Sequence, residues 1–358
     1  MFKLKEPLLM GMRGGGGGGM GGGGGGMMGS ACYTYPASPS TPGLTTPDVI
    51  YNRGIYMNGS ITMDDGRSIT IWGFSDGGGG MGGGGMGGDG MMGGNGNFPS
   101  PPIRVFEGQI VHTNLSVNGM MWLHTIHHHG IEPSMENDGV GHITWDVDGS
   151  YTYQWKPAHP GTYFYHCHTN TVLHAEMGMY GALIVDPLPD PNDPPGTKRP
   201  FANGPIYDVE VIWAVDEIDS SWHSKSWAAG TCGGDAGLNL LEPDYFIITG
   251  VDGAQSALTA PGIAATVQVG QTLLIRYICA GYHPQEIHLG GLTANIIASD
   301  GRPLPNPVPV ESFRGISGER YDLIVEATDP GEYIIEMDIN DWVTGETWGT
   351  ARTKITIV

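Results

Sequence analysis

The stretch YTYQWKPAHPGTYFYHCHTNTVLHAEMGMYGALIVD, residues 151–186, decides how this chain is read. YTYQW, GTYFYHC and GALIVD are short runs of aromatic and β-branched residues set between Pro/Gly punctuation, at the close spacing of a strand sandwich. A strand sends successive side chains to opposite faces, so His166 and His168 share one face and Cys167 takes the other. Upstream, residues 122–130 read WLHTIHHHG, and by the same rule His127 and His129 project to one side and His128 to the other. Two back-to-back metal sites follow. One takes Cys167 with His124 and His174; the other takes His127, His129, His166 and His168.

A Cys thiolate with two imidazoles and a distant thioether is the ligand set of a blue-copper electron-transfer site. Met179, five residues beyond His174 and just after a glycine, is the axial candidate, with Met177 as the alternative. Zinc also accepts Cys/His clusters, but no CxxC pair is present and the alternation describes two sites. Four histidines on one face with paired HxH spacing are poorly explained as ordinary sandwich side chains. His112, His142, His159 and His223 read as ordinary polar residues, His128 faces away from the metals, and His283 has no cysteine partner.

Outward from this stretch the pattern stays β. SITIWGF precedes it from Ser68, and PPIRVFEGQIVHTNLSV reads as two strands around a Glu-Gly turn. A Pro/Asp-rich linker follows, and the second half repeats the theme in YDVEVIWAVD, PDYFIITG, TVQVGQTLLIRYICA, RYDLIVEA and GEYIIEM. The halves look like copies: Pro160-Gly161-Thr162-Tyr163 matches Pro330-Gly331-Glu332-Tyr333, and Glu107-Gly108-Gln109 matches Val269-Gly270-Gln271. The expectation is an all-β chain of two sandwich domains. Residues 1–49 form a Gly/Met-rich segment, 50–186 the first domain with a Gly/Met insertion at 77–96, 187–204 the linker and 205–358 the second domain. Glycine at such density cannot bury apolar surface, whereas thioethers such as Met20, Met27, Met81 and Met86 are soft ligands suited to Cu(I), so the tracts read as weak copper collectors.

A formal net charge of −21 argues against nucleic acid as a partner and raises the local concentration of cations. No stretch is apolar enough to span a bilayer, and Met1–Met12 is too short and mixed for a signal peptide. The four cysteines make no disulfide framework; Cys32 and Cys232 could pair, and Cys279 reads as a buried thiol.

HxxHxHG followed by HCH, a further His and MGM resembles the copper-binding segments of the multicopper oxidases, and most of the chain after residue 50 is similar to that family. The resemblance implies two cupredoxin-like Greek-key sandwiches, with type 1 copper held in the first by His124, Cys167, His174 and Met179. It further implies a type 2 ligand in His127 and type 3 ligands in His129, His166 and His168. Five residues separate His168 from His174, where the laccase pattern has three. The family's cluster takes eight histidines from two domains, and this second domain cannot supply four. Aligning the repeats pairs His124 with His283, His127 with Glu286, His129 with His288, His166 with Glu336, Cys167 with Met337 and His168 with Asp338. That leaves His288 as the completing ligand, with Glu286, Glu336 or Asp338 nearby, although a solvated-charge reading is favoured for the three carboxylates. In two-domain relatives the cluster lies between subunits of a trimer. The expected function is oxidation of a small reductant or metal ion with reduction of dioxygen, outside the cytoplasm and in a homotrimer. The alternatives are an electron carrier or copper store, and a nitrite-reductase-like enzyme.

Overall fold

The computed structural model describes residue 41 and residues 43–77, 98–117, 123–140, 146–230 and 235–358. The Gly/Met tracts apart from Gly77, the start of the chain, His142, and both Cys32 and Cys232 lie outside these residues.

Strands up to Asp186 build two four-stranded sheets. One runs Ser68–Asp76, Val49–Thr62, Val111–Ser116, Ser150–Trp155, and the other Ile103–Phe106, Tyr180–Asp186, Gly161–His166, His127–His129. Strands from Val209 onward build a seven-stranded and a five-stranded sheet. The chain is therefore almost wholly β, and each sandwich encloses its own apolar core. One short α-helix, Thr171–Glu176, is present among the described residues.

The repeat seen in sequence has a structural content. Gly108 and Gly270 both take positive φ (78° and 90°), a conformation that favours glycine. After each, a glutamine Oε1 accepts the N–H three residues back, Gln109 from Phe106 at 2.8 Å and Gln271 from Gln268 at 2.9 Å. Tyr163 and Tyr333 each donate their hydroxyl to the carbonyl four residues upstream, at 3.0 and 2.9 Å, fixing the corner that starts the same strand in each sandwich. Both sandwiches also open with a parallel pair, Val49 beside Val111 and Val209 beside Leu273.

Two of the longer strands escaped the sequence reading. Val49–Thr62 lacks clean alternation because its register shifts between Tyr56 and Gly59. Arg302–Val310 (RPLPNPVPV) carries four prolines, which a ladder tolerates only at a sheet edge, and this strand is the edge of the seven-stranded sheet.

The sandwiches pack on one another. A shared apolar cluster joins Ile71, Phe164 and Tyr180 of the first to Ile218, Ile247 and Ile278 of the second. Buried Arg276 ties the junction by donating to Thr162 at 3.0 Å and to Glu210, while Thr162 donates to Asp322.

Candidate metal centre

The strand His127–His129 pairs antiparallel with Gly161–His166 so that His127 lies opposite His166 and His128 opposite Tyr165. The pleat then separates the histidines as alternation requires. His128 is fully buried, accepts or shares a hydrogen bond with Thr113 at 3.0 Å and packs on Trp155. His127, His129, His166 and His168 gather on the other face. The His127 ring centroid lies 5.6 Å from that of His129, 5.2 Å from His166 and 5.5 Å from His168. Ligand atoms of His127, His129 and His166 all fall within 4.8 Å of one another, as those around one metal ion would. Nδ1 of His129 is 3.3 Å from Nε2 of His166.

Cys167 points inward, and its Sγ lies 3.7 Å from His124 Nδ1 and 3.4 Å from His174 Nδ1. Metal–sulfur and metal–nitrogen bonds of about 2.3 and 2.0 Å at trigonal angles would put sulfur and nitrogen about 3.7 Å apart, so this set fits a shared ion. All three residues are fully buried. His124 arrives through a bridge to Val147. His174 is delivered by the short helix, whose first turn closes with the His174 N–H donating to Asn170 O at 3.0 Å. The longer spacing from His168 to His174 is thus taken up as helix. Met177 and Met179 are both fully buried in the same apolar cluster as Cys167. Met179 is tied to the ligand strand directly, since its carbonyl accepts the Cys167 N–H at 3.0 Å and its N–H donates to His174 O at 3.0 Å. The Met177 carbonyl is instead taken by Trp72 N–H at 2.7 Å.

In four of these rings one nitrogen is oriented by the protein, leaving the other free to ligate, whereas His124 Nε2 has no hydrogen-bond partner. His174 Nε2 hydrogen-bonds the Trp227 carbonyl at 3.1 Å, His127 Nδ1 that of Asp138 at 2.7 Å and His166 Nδ1 that of Cys167 at 2.9 Å. His168 Nδ1 meets the Thr171 hydroxyl at 3.2 Å, while its N–H donates to Thr125 Oγ1. Burial pushes His124 and His166 well below the ordinary imidazole range, His174 down to about 4 and His129, helped by the Arg320 charge, to about 3. These rings are neutral, the ligating form, at neutral pH. Burial pushes the Cys167 thiol up to about 11, so a cation that binds there must displace its proton.

The second-domain residues stand apart from this cluster. Glu286 lies opposite Asp338, and His288 opposite Glu336, on the ladder between Gln285–His288 and Gly331–Asn340. By ladder position His288 therefore answers His127, not His129 as the aligned repeats imply. The slip is two residues, which leaves every side chain on its original face and so goes unseen in the pattern. His288 Nε2 is 3.5 Å from Asp338 and Glu336 pairs with Arg352 at 2.9 Å, all of them solvent-accessible. Among the described residues, none of His288, Glu286, Glu336 and Asp338 joins a group of ligand atoms within one chain. His283 is buried, with neither ring nitrogen hydrogen-bonded in the structure. His223 joins no group of ligand atoms among the described residues; it is buried, donates to Thr70 O and faces Glu176 at 3.6 Å. The sequence reading missed Asn170, Thr125, Asp138 and Trp227, whose roles come from contacts that no local motif encodes.

Family models described as multicopper oxidase match residues 85–190 and 218–355. The chain is similar to a copper resistance protein A homolog of Pseudomonas syringae pv. tomato, 27% identical over 270 residues covering 67% of this chain and 44% of that protein. It is 37% identical over 143 residues to L-ascorbate oxidase of Cucumis sativus, covering 37% of this chain and 21% of that one. It spans less than half the length of these curated relatives. Among solved structures, a blue copper oxidase from Nitrosomonas europaea aligns with TM-score 0.65 and 27% identity, covering 86% of each chain.

Proposed function

From its membership of the multicopper oxidase family, to which this chain belongs, we propose that the protein is a copper-dependent oxidase of small reductants or metal ions that uses dioxygen. His124, Cys167, His174 and Met179 would hold type 1 copper, and His127, His129, His166 and His168 would hold type 2 and type 3 copper. Copper bound in these two places would supply one-electron exchange at the first and reduction of dioxygen at the second. The carrying observation is the connection between them. Cys167 puts its sulfur into one donor set, while the carbonyl of the same residue anchors His166 of the other at 2.9 Å. Four covalent bonds of Cys167 (Sγ–Cβ, Cβ–Cα, Cα–C and C–O) and one hydrogen bond thus link the two faces of a single strand end.

The rest of the chemistry belongs to the chain's own groups. The carbonyls of Trp227, Asp138 and Cys167 fix three ring orientations, so these rings are held ready to ligate. Burial keeps water from Cys167 and holds the imidazoles neutral. We place the first domain at residues 50–186 and the second at 205–358. Glu286, His288, Glu336 and Asp338 of a neighbouring copy in a homotrimer would complete the four-histidine face, which one chain leaves without second-domain ligands. The protein would work outside the cytoplasm; no described helix is long and apolar enough to cross a membrane.

Copper per chain on metal-loaded protein, with visible and EPR spectra, tests this reading. Intense thiolate absorption plus further copper giving a type 2 signal or no EPR signal, together with oxygen consumption on adding a reductant, is the expected result. A single type 1 copper without oxygen uptake would leave an electron carrier.

A further inference from the structure

The type 1 pocket is lined by the first domain but closed by the second. From the second half of the chain, residues 222–230 and 235–241 lay Trp222, Trp227, Ala229, Leu238 and Leu241 against the apolar cluster that contains Cys167, Met177 and Met179. These residues are stitched down at their middle. Asn170, inside the ligand loop between His168 and His174, donates its side-chain amide to the carbonyls of Trp227 and Ala229 at 3.0 and 3.1 Å, and His174 Nε2 meets the same Trp227 carbonyl at 3.1 Å. They are braced among themselves, by Lys225 Nζ donating to Ala236 O at 2.6 Å and Trp222 Nε1 to Leu240 O at 3.0 Å. One end is anchored by Asp219 N–H on Glu176 at 2.8 Å. The His174 ring is left with no accessible surface.

We infer that the turn Trp227–Ala229 is the electron-entry port of the type 1 site and sets its specificity: donors deliver electrons from outside the turn and never touch His174. The inference rests on the type 1 assignment proposed above. Compact outer-sphere one-electron donors, such as low-valent metal ions and their small complexes, satisfy this port. Aromatic reductants that need contact with the ligand ring are excluded by it. One electron leaves the donor per event, to be accepted by the cupric ion that the pocket would hold, and no bond need form or proton cross the turn. The formal charge of −21 over the whole chain favours cationic donors further.

Asn170 offers a clean way to loosen the seal. It sits at φ 44°, where glycine is at ease, and its side chain makes no capping bond to the helix that follows, so Asn170→Gly removes the two amide bonds without straining the backbone. In metal-free protein, alkylation of Cys167 by N-ethylmaleimide, followed on its own peptide by mass spectrometry, should run at least about tenfold faster in N170G, because exposure follows the local opening equilibrium. In copper-loaded protein under anaerobic conditions, bleaching of the thiolate absorption by 2,6-dimethoxyphenol should accelerate by about the same factor, while bleaching by hexaammineruthenium(II) changes less than about threefold. Equal rates of alkylation in the two proteins, or a phenol-to-ruthenium ratio that N170G does not move, would overturn the port. Trp227→Ala, which opens the same turn from the other side, must give the same ratio change. Absence of thiolate absorption in the copper-loaded wild type would instead defeat the type 1 assignment, and the alkylation comparison would still report on the seal.

Discussion

The two sandwiches share a scaffold and differ in what stands on it. Both start a strand with Pro-Gly-x-Tyr, both anchor the tyrosine to the carbonyl four residues back, and both place a buried sulfur-bearing residue four positions after that tyrosine, Cys167 in the first and Met337 in the second. On either side of that residue the side chains take the opposite face of the sheet, His166 and His168 in one domain, Glu336 and Asp338 in the other. In the first domain the inward sulfur meets two buried imidazoles. In the second, Met337 is packed among Ile287, Ile335 and other core residues, and the outward carboxylates meet His288 and Arg352 at the surface. The difference teaches that the backbone of this fold is specified by turns and corners, and that metal chemistry is added or lost at positions the scaffold does not need.

That contrast is breakable. Cys167→Ser should abolish the thiolate absorption and lower substrate oxidation at least about a thousandfold, read as initial oxygen uptake. Met337→Ala should leave both untouched and appear only as lost stability of about 2–5 kcal/mol in urea unfolding. Activity loss in the second variant as large as in the first would mean that the domains are not separable in this way.

Acid should also tell the sandwiches apart in metal-free protein. His174 and His129 titrate at about 4 and about 3 in the fold because burial disfavours their charge, whereas an unfolded histidine takes its proton near 6.5. The unfolded chain binds protons first as pH falls, so the stability that these groups permit is complete above about pH 6.5 and is lost toward pH 4 and below, on the order of 3 kcal/mol for His174 alone. Urea midpoints measured on apoprotein between neutral and acid pH, with tryptophan and tyrosine probes in each half, should show the first sandwich weakening first. Simultaneous loss would show the shared apolar junction coupling the two halves into one unit.

Smaller again is the effect of His127→Ala. It should cut oxygen consumption about a hundredfold while the thiolate absorption survives, because only the four-histidine face is touched. His288→Ala sharpens the comparison. A matching loss of activity together with retained type 1 absorption fits a site completed by a neighbouring copy, and no loss would confine the chemistry to the first domain.

The smallest differences lie in the scaffold itself. Tyr333→Phe should cost about 1 kcal/mol, the worth of one hydrogen bond. Tyr163→Phe should cost somewhat more, since its hydroxyl also meets Gly301 O at 3.3 Å and receives Arg302 at 3.1 Å across the domain junction. Thermal unfolding of the two variants decides the order.

Much of the site was legible in the sequence because its grouping is a property of strands. Period-2 alternation alone sorts Cys167 from His166 and His168, and His128 from His127 and His129, and the structure keeps each on its side. The same period concealed one error, since a two-residue slip in the second domain changes which residues oppose each other without changing any face. Val49–Thr62 and Arg302–Val310 were illegible for local reasons, a bulge in the first and prolines confined to an edge in the second.

By itself, then, the sequence determined the two β-sandwiches, their repeat, and the partition of a cysteine and six histidines into two opposed donor sets, because turns, corners and strand alternation act between near neighbours along the chain. Only the tertiary structure decided that His174 is sealed by a carbonyl 53 residues away, that His223 is buried against Glu176, and that His288 stands in the ladder place of His127. Each of these depends on how one sandwich packs on the other or on which strand neighbours which, and such contacts leave no periodic trace in the residues that make them.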